Sequence, residues 1–78
     1  MGKSNHYKNE DAVKKFGMKV REYRINTGMT IEAFANTHNL QVTQLARIET
    51  GKGNPTISYI FLLADLLGVN PKELIDFS

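Results

Sequence analysis

The apolar positions of this chain recur every three or four residues, the spacing of one face of an α-helix, and no stretch alternates with the period of a strand. The first run predicts a helix over residues 11–26. Its apolar members are Val13, Phe16, Val20 and Tyr23. Gly17 interrupts this run and indicates either a close helix contact or simple tolerance of glycine. Residues 1–10 are polar and are expected to form a flexible basic arm.

Two short helices joined by a turn of a few residues are predicted next, over 30–38 and 42–50. Thr30 is a suitable N-cap for the first of them, and Asn39 tolerates the left-handed backbone that the turn requires. Gly51 is expected to end the second. The residues expected to face the core are Phe34, Ala35, Leu40, Leu45 and Ile48. Such a close pair of helices is the helix-turn-helix layout.

Two further helices complete the pattern. Pro55 and Thr56 begin a fourth helix that ends near Gly68, and its expected core face consists of Ile57, Ile60, Leu63, Ala64 and Leu67. A short fifth helix over 71–77 begins with an Asn cap, a proline and a glutamate three residues after the cap, as in a capping box. The expected fold is therefore all-α, with five helices forming one domain over residues 11–78.

Composition excludes several kinds of function. The 78 residues contain no cysteine, which removes disulfides, thiolate metal sites and thiol catalysis. His6 and His38 are isolated, the 51–53 Gly-Lys-Gly segment is too short for a phosphate-binding loop, and no paired carboxylates stand out. We therefore expect neither an enzyme nor a cofactor or metal. No apolar run has the length of a signal peptide or a membrane span, so a cytoplasmic protein is expected.

The charge of the chain is uneven along its length. The formal net charge is only +2, but seven of the ten basic residues lie within residues 1–24. A basic end on a nearly neutral body can contact phosphates. An ordinary solvated helix face explains the same charges equally well, so charge alone does not decide between the two.

A larger set of residues occurs in a particular order and spacing over roughly residues 13–76. Its members are Arg24, Gly28, Met29, Thr30, Phe34, Ala35, Leu40, Leu45, Ile48, Glu49, Gly51, Asn54, Pro55, Ala64, Leu67, Gly68 and Leu74. This set resembles the Cro/C1-type helix-turn-helix domain (XRE family), which has the lambda-repressor-like fold. The resemblance implies a DNA-binding transcriptional regulator, and within the family phage repressors, restriction–modification controllers and antitoxins all remain open.

The resemblance also implies that the third helix reads bases in the major groove of double-stranded DNA. The candidate base-contacting residues are Val42, Thr43, Gln44 and Arg47. Glutamine can pair with adenine, arginine with guanine, and a valine methyl with thymine. The candidate phosphate-contacting residues are Lys19, Thr30, Lys52, Asn54 and Thr56, with Lys3 and Lys8 of the arm in support. Taken singly, each of these is also a plausible surface residue.

An ion pair between Arg24 and Glu49 is implied by the same resemblance, and it would brace the recognition helix. Two positions depart from the family pattern. Ile31 stands where relatives usually have a glutamine that touches DNA, and Gln41 replaces the usual small cap before the recognition helix. Gln41 is therefore expected to cap poorly.

The fourth helix carries more apolar residues than one core face needs. The surplus consists of Tyr59, Phe61, Leu62 and Leu66, to which Phe77 is added. Exposed apolar patches often mark interfaces, so we expect a homodimer that binds a two-fold symmetric operator on the nucleoid. The alternatives are that the fifth helix covers this face, or that the domain is a protein-interaction module or antitoxin that uses this face to bind a partner protein.

Overall fold

The computed structural model describes residues 8–77, which form five α-helices and no strand. The helices are α1 (Glu10–Asn26), α2 (Ile31–Thr37), α3 (Val42–Glu49), α4 (Ile57–Leu67) and α5 (Pro71–Ile75). The all-α prediction is confirmed, and the helix bounds agree with the sequence to within about two residues. Residues 1–7, which include most of the expected arm, lie outside the described part of the chain.

Local hydrogen bonds explain where the helices begin. The side chain of Asn9 accepts from the Ala12 N–H, so α1 starts at Glu10, one residue before the predicted start. Thr30 caps α2 as predicted. Gln41 makes no capping hydrogen bond with its side chain, in agreement with its poor cap chemistry.

The core forms where all five helices meet. Its buried apolar residues are Val13, Phe16, Val20, Phe34, Ala35, Leu45, Ile48, Leu63, Ala64 and Leu74. Ile57 was expected in this core but is 74% exposed. It is the first residue of α4 and precedes the part of the helix in which Leu63 and Ala64 are buried. The apolar spacing of α4 therefore predicts more core residues than the helix buries.

Short polar contacts hold the turns and the last helix. Asn39 adopts the expected left-handed conformation, with φ of 58°, between α2 and α3. The Tyr23 hydroxyl donates to a carboxylate oxygen of Glu73 at 2.9 Å, which ties α1 to α5. Within residues 8–77, none of the helices combines the length and the apolar character needed to cross a membrane.

Candidate nucleic-acid interface

The close approach of α1 to α3 sets the position of the predicted recognition helix. Gly17 is buried in α1, and a Cβ atom added there would overlap the carbonyl oxygen of Ile48 and lie 3.1 Å from that of Glu49. Of the two explanations offered by the sequence, the structure therefore supports a close helix contact. Only a glycine allows the backbone of α1 to reach the last turn of α3 in this way.

A buried ion pair fixes the same end of α3. Arg24 Nε donates to Glu49 Oε2 at 2.7 Å, and Arg24 Nη2 donates to Glu49 Oε1 at 2.8 Å. The two side chains are only 11% and 4% exposed. Arg24 Nη1 also donates to the carbonyl of Met29 at 2.8 Å, so one guanidinium joins α1, the α1–α2 turn and α3.

The hydrogen bonding of Arg24 to the Glu49 carboxylate is the main cause of the raised pKa of Arg24, which keeps the guanidinium charged. Planar, two-pronged pairing of this kind is geometrically specific. The arrangement holds α3 at a set angle to α1.

The outer face of α3 carries most of the predicted base-reading residues. Thr43, Gln44 and Arg47 are exposed, whereas Leu45 and Ile48 on the opposite face are buried. Val42 is only partly buried and packs against the core, so it offers less methyl surface than the sequence implied.

The Arg47 side chain folds back onto the turn that follows α3. Its Nη2 donates to the carbonyl of Lys52 at 3.2 Å, in the turn that follows α3. A single long hydrogen bond at an exposed site holds a side chain weakly. The guanidinium is therefore free to leave the turn for a better acceptor.

A groove of about 270 Å³ lies between α3 and the start of α4. It brings together four residues that the sequence assigned to DNA, namely Gln44, Arg47, Asn54 and Thr56. Thr56 caps α4 by accepting from the Tyr59 N–H at 3.1 Å. Base-reading and phosphate-binding candidates thus share one edge of the molecule.

Basic side chains surround the turn after α3. Gly51 adopts φ of 75°, a conformation that suits glycine, and a Cβ there would lie 2.7 Å from Cγ of Lys14. Lys8 Nζ donates to the Lys52 carbonyl at 3.4 Å. Lys14, Lys8 and Lys52 therefore border this turn. Sequence reasoning missed Lys14, although it lies three residues before Gly17 and so shares its helix face.

Lys19, a predicted phosphate contact, lies away from the edge formed by α3. It lines a groove with Met18, Ile25 and Phe77 rather than the edge formed by α3. At about 3.6 residues per turn, a position two residues from Gly17 lies on nearly the opposite side of the helix. Since Gly17 faces α3, Lys19 points away from it.

Thr30 is exposed at the start of α2, outside the groove between α3 and α4, and its hydroxyl accepts from the Ala33 N–H at 3.1 Å. The first N–H groups of a helix lack intrahelical partners and attract anions. Thr30 therefore stays a candidate, separate from the four residues of the groove.

The apolar surplus of α4 is divided between core and surface. Tyr59, Leu66 and Phe77 are partly buried and pack against the core, so they do not form the exposed patch that the sequence predicted. Phe61 and Leu62 remain, with 58% and 40% exposure. Tyr59 and Leu66 lie beside Leu63 on the face of α4 that packs against the core, and they are therefore partly buried.

The chain is similar in sequence to proteins of a known family. Residues 20–74 match the family model described as helix-turn-helix. The control protein C.BamHI of Bacillus amyloliquefaciens is 38% identical over 64 residues, which are 81% of this chain and 79% of that protein. A helix-turn-helix family and a control protein indicate a regulator rather than an enzyme.

Solved structures show the same fold. The restriction-modification controller protein C.AhdI from Aeromonas hydrophila superimposes with a TM-score of 0.73 at 32% identity, covering 80% of this chain and 94% of that one. The DNA-binding domain of BldD reaches a TM-score of 0.82 over 87% of this chain and 99% of that domain. At 23% identity, that second likeness concerns the fold alone.

Proposed function

This chain belongs to the Cro/C1-type (XRE) helix-turn-helix family of DNA-binding transcription regulators, and on this premise we propose that it binds a two-fold symmetric operator as a homodimer. The observation that carries the proposal is the shared edge of Gln44, Arg47, Asn54 and Thr56 beside the exposed face of α3. In this arrangement α3 enters the major groove, and half-sites lie about 10–10.5 base pairs apart.

Base reading is assigned to the exposed residues of α3. Gln44 offers a donor and an acceptor to adenine, and Arg47 can pair with guanine through two hydrogen bonds once it leaves the Lys52 carbonyl. Thr43 contributes a hydroxyl and a methyl group from the same face. The inward position of Val42 leaves it a lesser role.

Phosphate binding is assigned to the borders of this face. Lys8, Lys14 and Lys52 supply charge around the turn after α3, and the turn and the start of α4 add Asn54 and Thr56. Thr30 adds a candidate phosphate contact at the start of α2. Phosphate contacts of this kind set the register of a protein on DNA but carry no direct sequence information.

The regulatory system is proposed from the named relatives. C.BamHI is a control protein, and C.AhdI is a restriction-modification controller protein. We propose that this chain likewise controls transcription of a restriction–modification system. The similarity to C.BamHI over 81% of the chain favours this role over phage repression or toxin neutralisation.

The test of operator binding is selection of bound duplexes from a random DNA pool, with sequencing, at about 0.1 M salt because affinity depends on salt. A two-fold symmetric motif is expected. A folded protein that enriches no sequence would contradict the proposal and favour the partner-protein alternative.

Arg47→Ala tests direct base reading. The expected result is a loss of about 1–3 kcal/mol in specific binding, with relaxed preference at one base position of each half-site. Arg47 is exposed and, within residues 8–77, its side chain is held only by the long hydrogen bond to the Lys52 carbonyl, so the free energy of unfolding should change little. Fluorescence anisotropy on the selected operator and its single-base variants measures the effect. Unchanged discrimination at every position would remove Arg47 from the base-reading set.

Lys14→Ala and Lys19→Ala form a matched pair on one helix. Lys14 borders the turn after α3, so its removal should weaken binding to all sequences and lower the salt slope by about one unit for each protomer of the bound dimer. Lys19 lies on the other side of α1, so its removal should leave both quantities unchanged. Equal effects of the two substitutions would show that only net charge matters.

The dimer is proposed to form through the exposed apolar residues of α4. Phe61→Ser with Leu62→Ser removes the apolar surface of two side chains that are 58% and 40% exposed, and the double variant should sediment as a monomer at micromolar concentration. The monomer should remain folded because neither side chain belongs to the core. If the wild-type chain already sediments as a monomer, the proposed dimer is contradicted. The exposed apolar residues of α4 would then be candidates for contact with a different protein.

A further inference from the structure

The hydroxyl of Tyr59 is a buried polar group without a partner. Among the residues that the structure describes, its oxygen is the one buried side-chain polar atom that makes no hydrogen bond. Buried polar groups in folded proteins are usually hydrogen-bonded, and an unsatisfied group is destabilising. Burial also raises the pKa of Tyr59, so the hydroxyl keeps its proton and remains a donor.

Packing alone does not account for a tyrosine at this position. The ring is partly buried against the core, where a phenylalanine would fill the same volume without an unsatisfied oxygen. The contrast with Tyr23 is direct, because that hydroxyl donates to Glu73 at 2.9 Å. The Tyr59 hydroxyl is therefore a hydrogen-bond donor for which the described part of the chain supplies no acceptor.

The position of Tyr59 indicates where an external acceptor for its hydroxyl would lie. Its side chain lines the groove between α3 and α4, together with Gln44, Arg47, Asn54 and Thr56. All four of these neighbours are exposed, so they can rotate when a ligand arrives. Tyr59 itself stands in the first turn of α4, where N–H groups without an intrahelical acceptor favour a nearby anion, although the Tyr59 N–H is bonded to the Thr56 cap.

We propose that the Tyr59 hydroxyl donates a hydrogen bond to a phosphate oxygen of bound DNA, after Arg47 and the other rim side chains turn outward to meet the duplex. This inference rests on the proposed DNA-binding function and adds a residue that sequence reasoning had placed in the dimer interface. A phosphate is the fitting acceptor because Tyr59 belongs to the first turn of α4, beside rather than on the base-reading helix α3.

The test is Tyr59→Phe, measured on operator DNA and on random duplex. Affinity should fall by roughly tenfold for each protomer of the dimer on both duplexes, the scale of one hydrogen bond to a charged acceptor. The salt slope should stay as in wild type because a neutral donor displaces no counterion. The urea midpoint should hold or rise, since the substitution removes an unsatisfied atom.

Tyr23→Phe is the matched control. It deletes a hydroxyl that bonds Glu73 away from the groove, so it should lower the urea midpoint and leave DNA affinity unchanged. A second experiment replaces single phosphates of the operator by uncharged methylphosphonates. The effect of Tyr59→Phe should disappear at one phosphate in each half-site, as expected for two changes that remove the same contact.

Three results would overturn the proposal. Equal affinity of wild type and Tyr59→Phe would show that the hydroxyl is merely tolerated. Loss of affinity for the operator but not for random duplex would assign it to base reading instead. A lower urea midpoint would show a structural role. Failure of the wild-type chain to bind DNA would instead overturn the proposed function itself, and with it this inference.

Discussion

Glu49→Leu should lower the free energy of unfolding by about 3–5 kcal/mol, because it leaves a buried guanidinium without its partner. Arg24 makes two hydrogen bonds to Glu49, and both side chains lie almost entirely out of solvent. Leucine is close to glutamate in volume, so the loss reflects the unpaired charge rather than a cavity. Urea unfolding followed by circular dichroism gives the free energy from the midpoint and slope.

Two further variants separate charge burial from other effects. Arg24→Met combined with Glu49→Leu should recover most of the lost stability, since buried ion pairs can be replaced by apolar residues of similar size. The bond from Arg24 to the Met29 carbonyl is still lost, so recovery should be incomplete. Asp11→Asn breaks an exposed pair with Lys15 and should cost below about 1 kcal/mol. A similar cost for Glu49→Leu and Asp11→Asn would show that the buried pair does not brace α3.

Gly17→Ala should lower the free energy of unfolding by about 3 kcal/mol, the upper end of the range for overpacking. The added methyl group would overlap the carbonyl oxygen of Ile48, which is backbone and cannot rotate away. Alanine favours an isolated helix over glycine by about 1 kcal/mol, so the measured loss is the steric cost after that gain. Thermal and urea unfolding measure it.

The same substitution should also weaken DNA binding at temperatures where the variant is folded, because α3 has to shift relative to α1. Met18→Ala is the control on the neighbouring residue, whose side chain is 67% exposed. It should change stability by less than about 0.5 kcal/mol. A Gly17→Ala variant as stable as wild type would mean that the two helices have room to separate at no cost.

The Arg24–Glu49 ion pair and the Gly17 contact both hold α3 in position, but the sequence pointed to them in different ways. The ion pair was implied by family resemblance, since nothing in the spacing of residues 24 and 49 brings the two charges together. The sequence marks Gly17 only as an irregularity in an apolar run, and the structure identifies its partner as the last turn of α3. The strongest expected effects thus come from contacts between helices distant in the chain.

The sequence by itself determined the helices of this protein, because caps, glycine stops and apolar spacing act over a few neighbouring residues. Thr30 and Asn70 cap their helices, and Gly51 and Asn39 take left-handed conformations at the predicted turns. The candidates Gln44 and Arg47 followed from the same spacing, since Leu45 and Ile48 define the opposite face of α3.

Only the tertiary structure decided how each helix is rotated against its neighbours. That rotation placed Lys14 rather than Lys19 beside the recognition helix, turned Tyr59 into the groove below Arg47, and left Phe61 on the surface. Helical periodicity groups residues on faces but does not say which partner covers a face. Close contacts such as those of Gly17 and Arg24 make that choice, through packing between segments far apart in the chain.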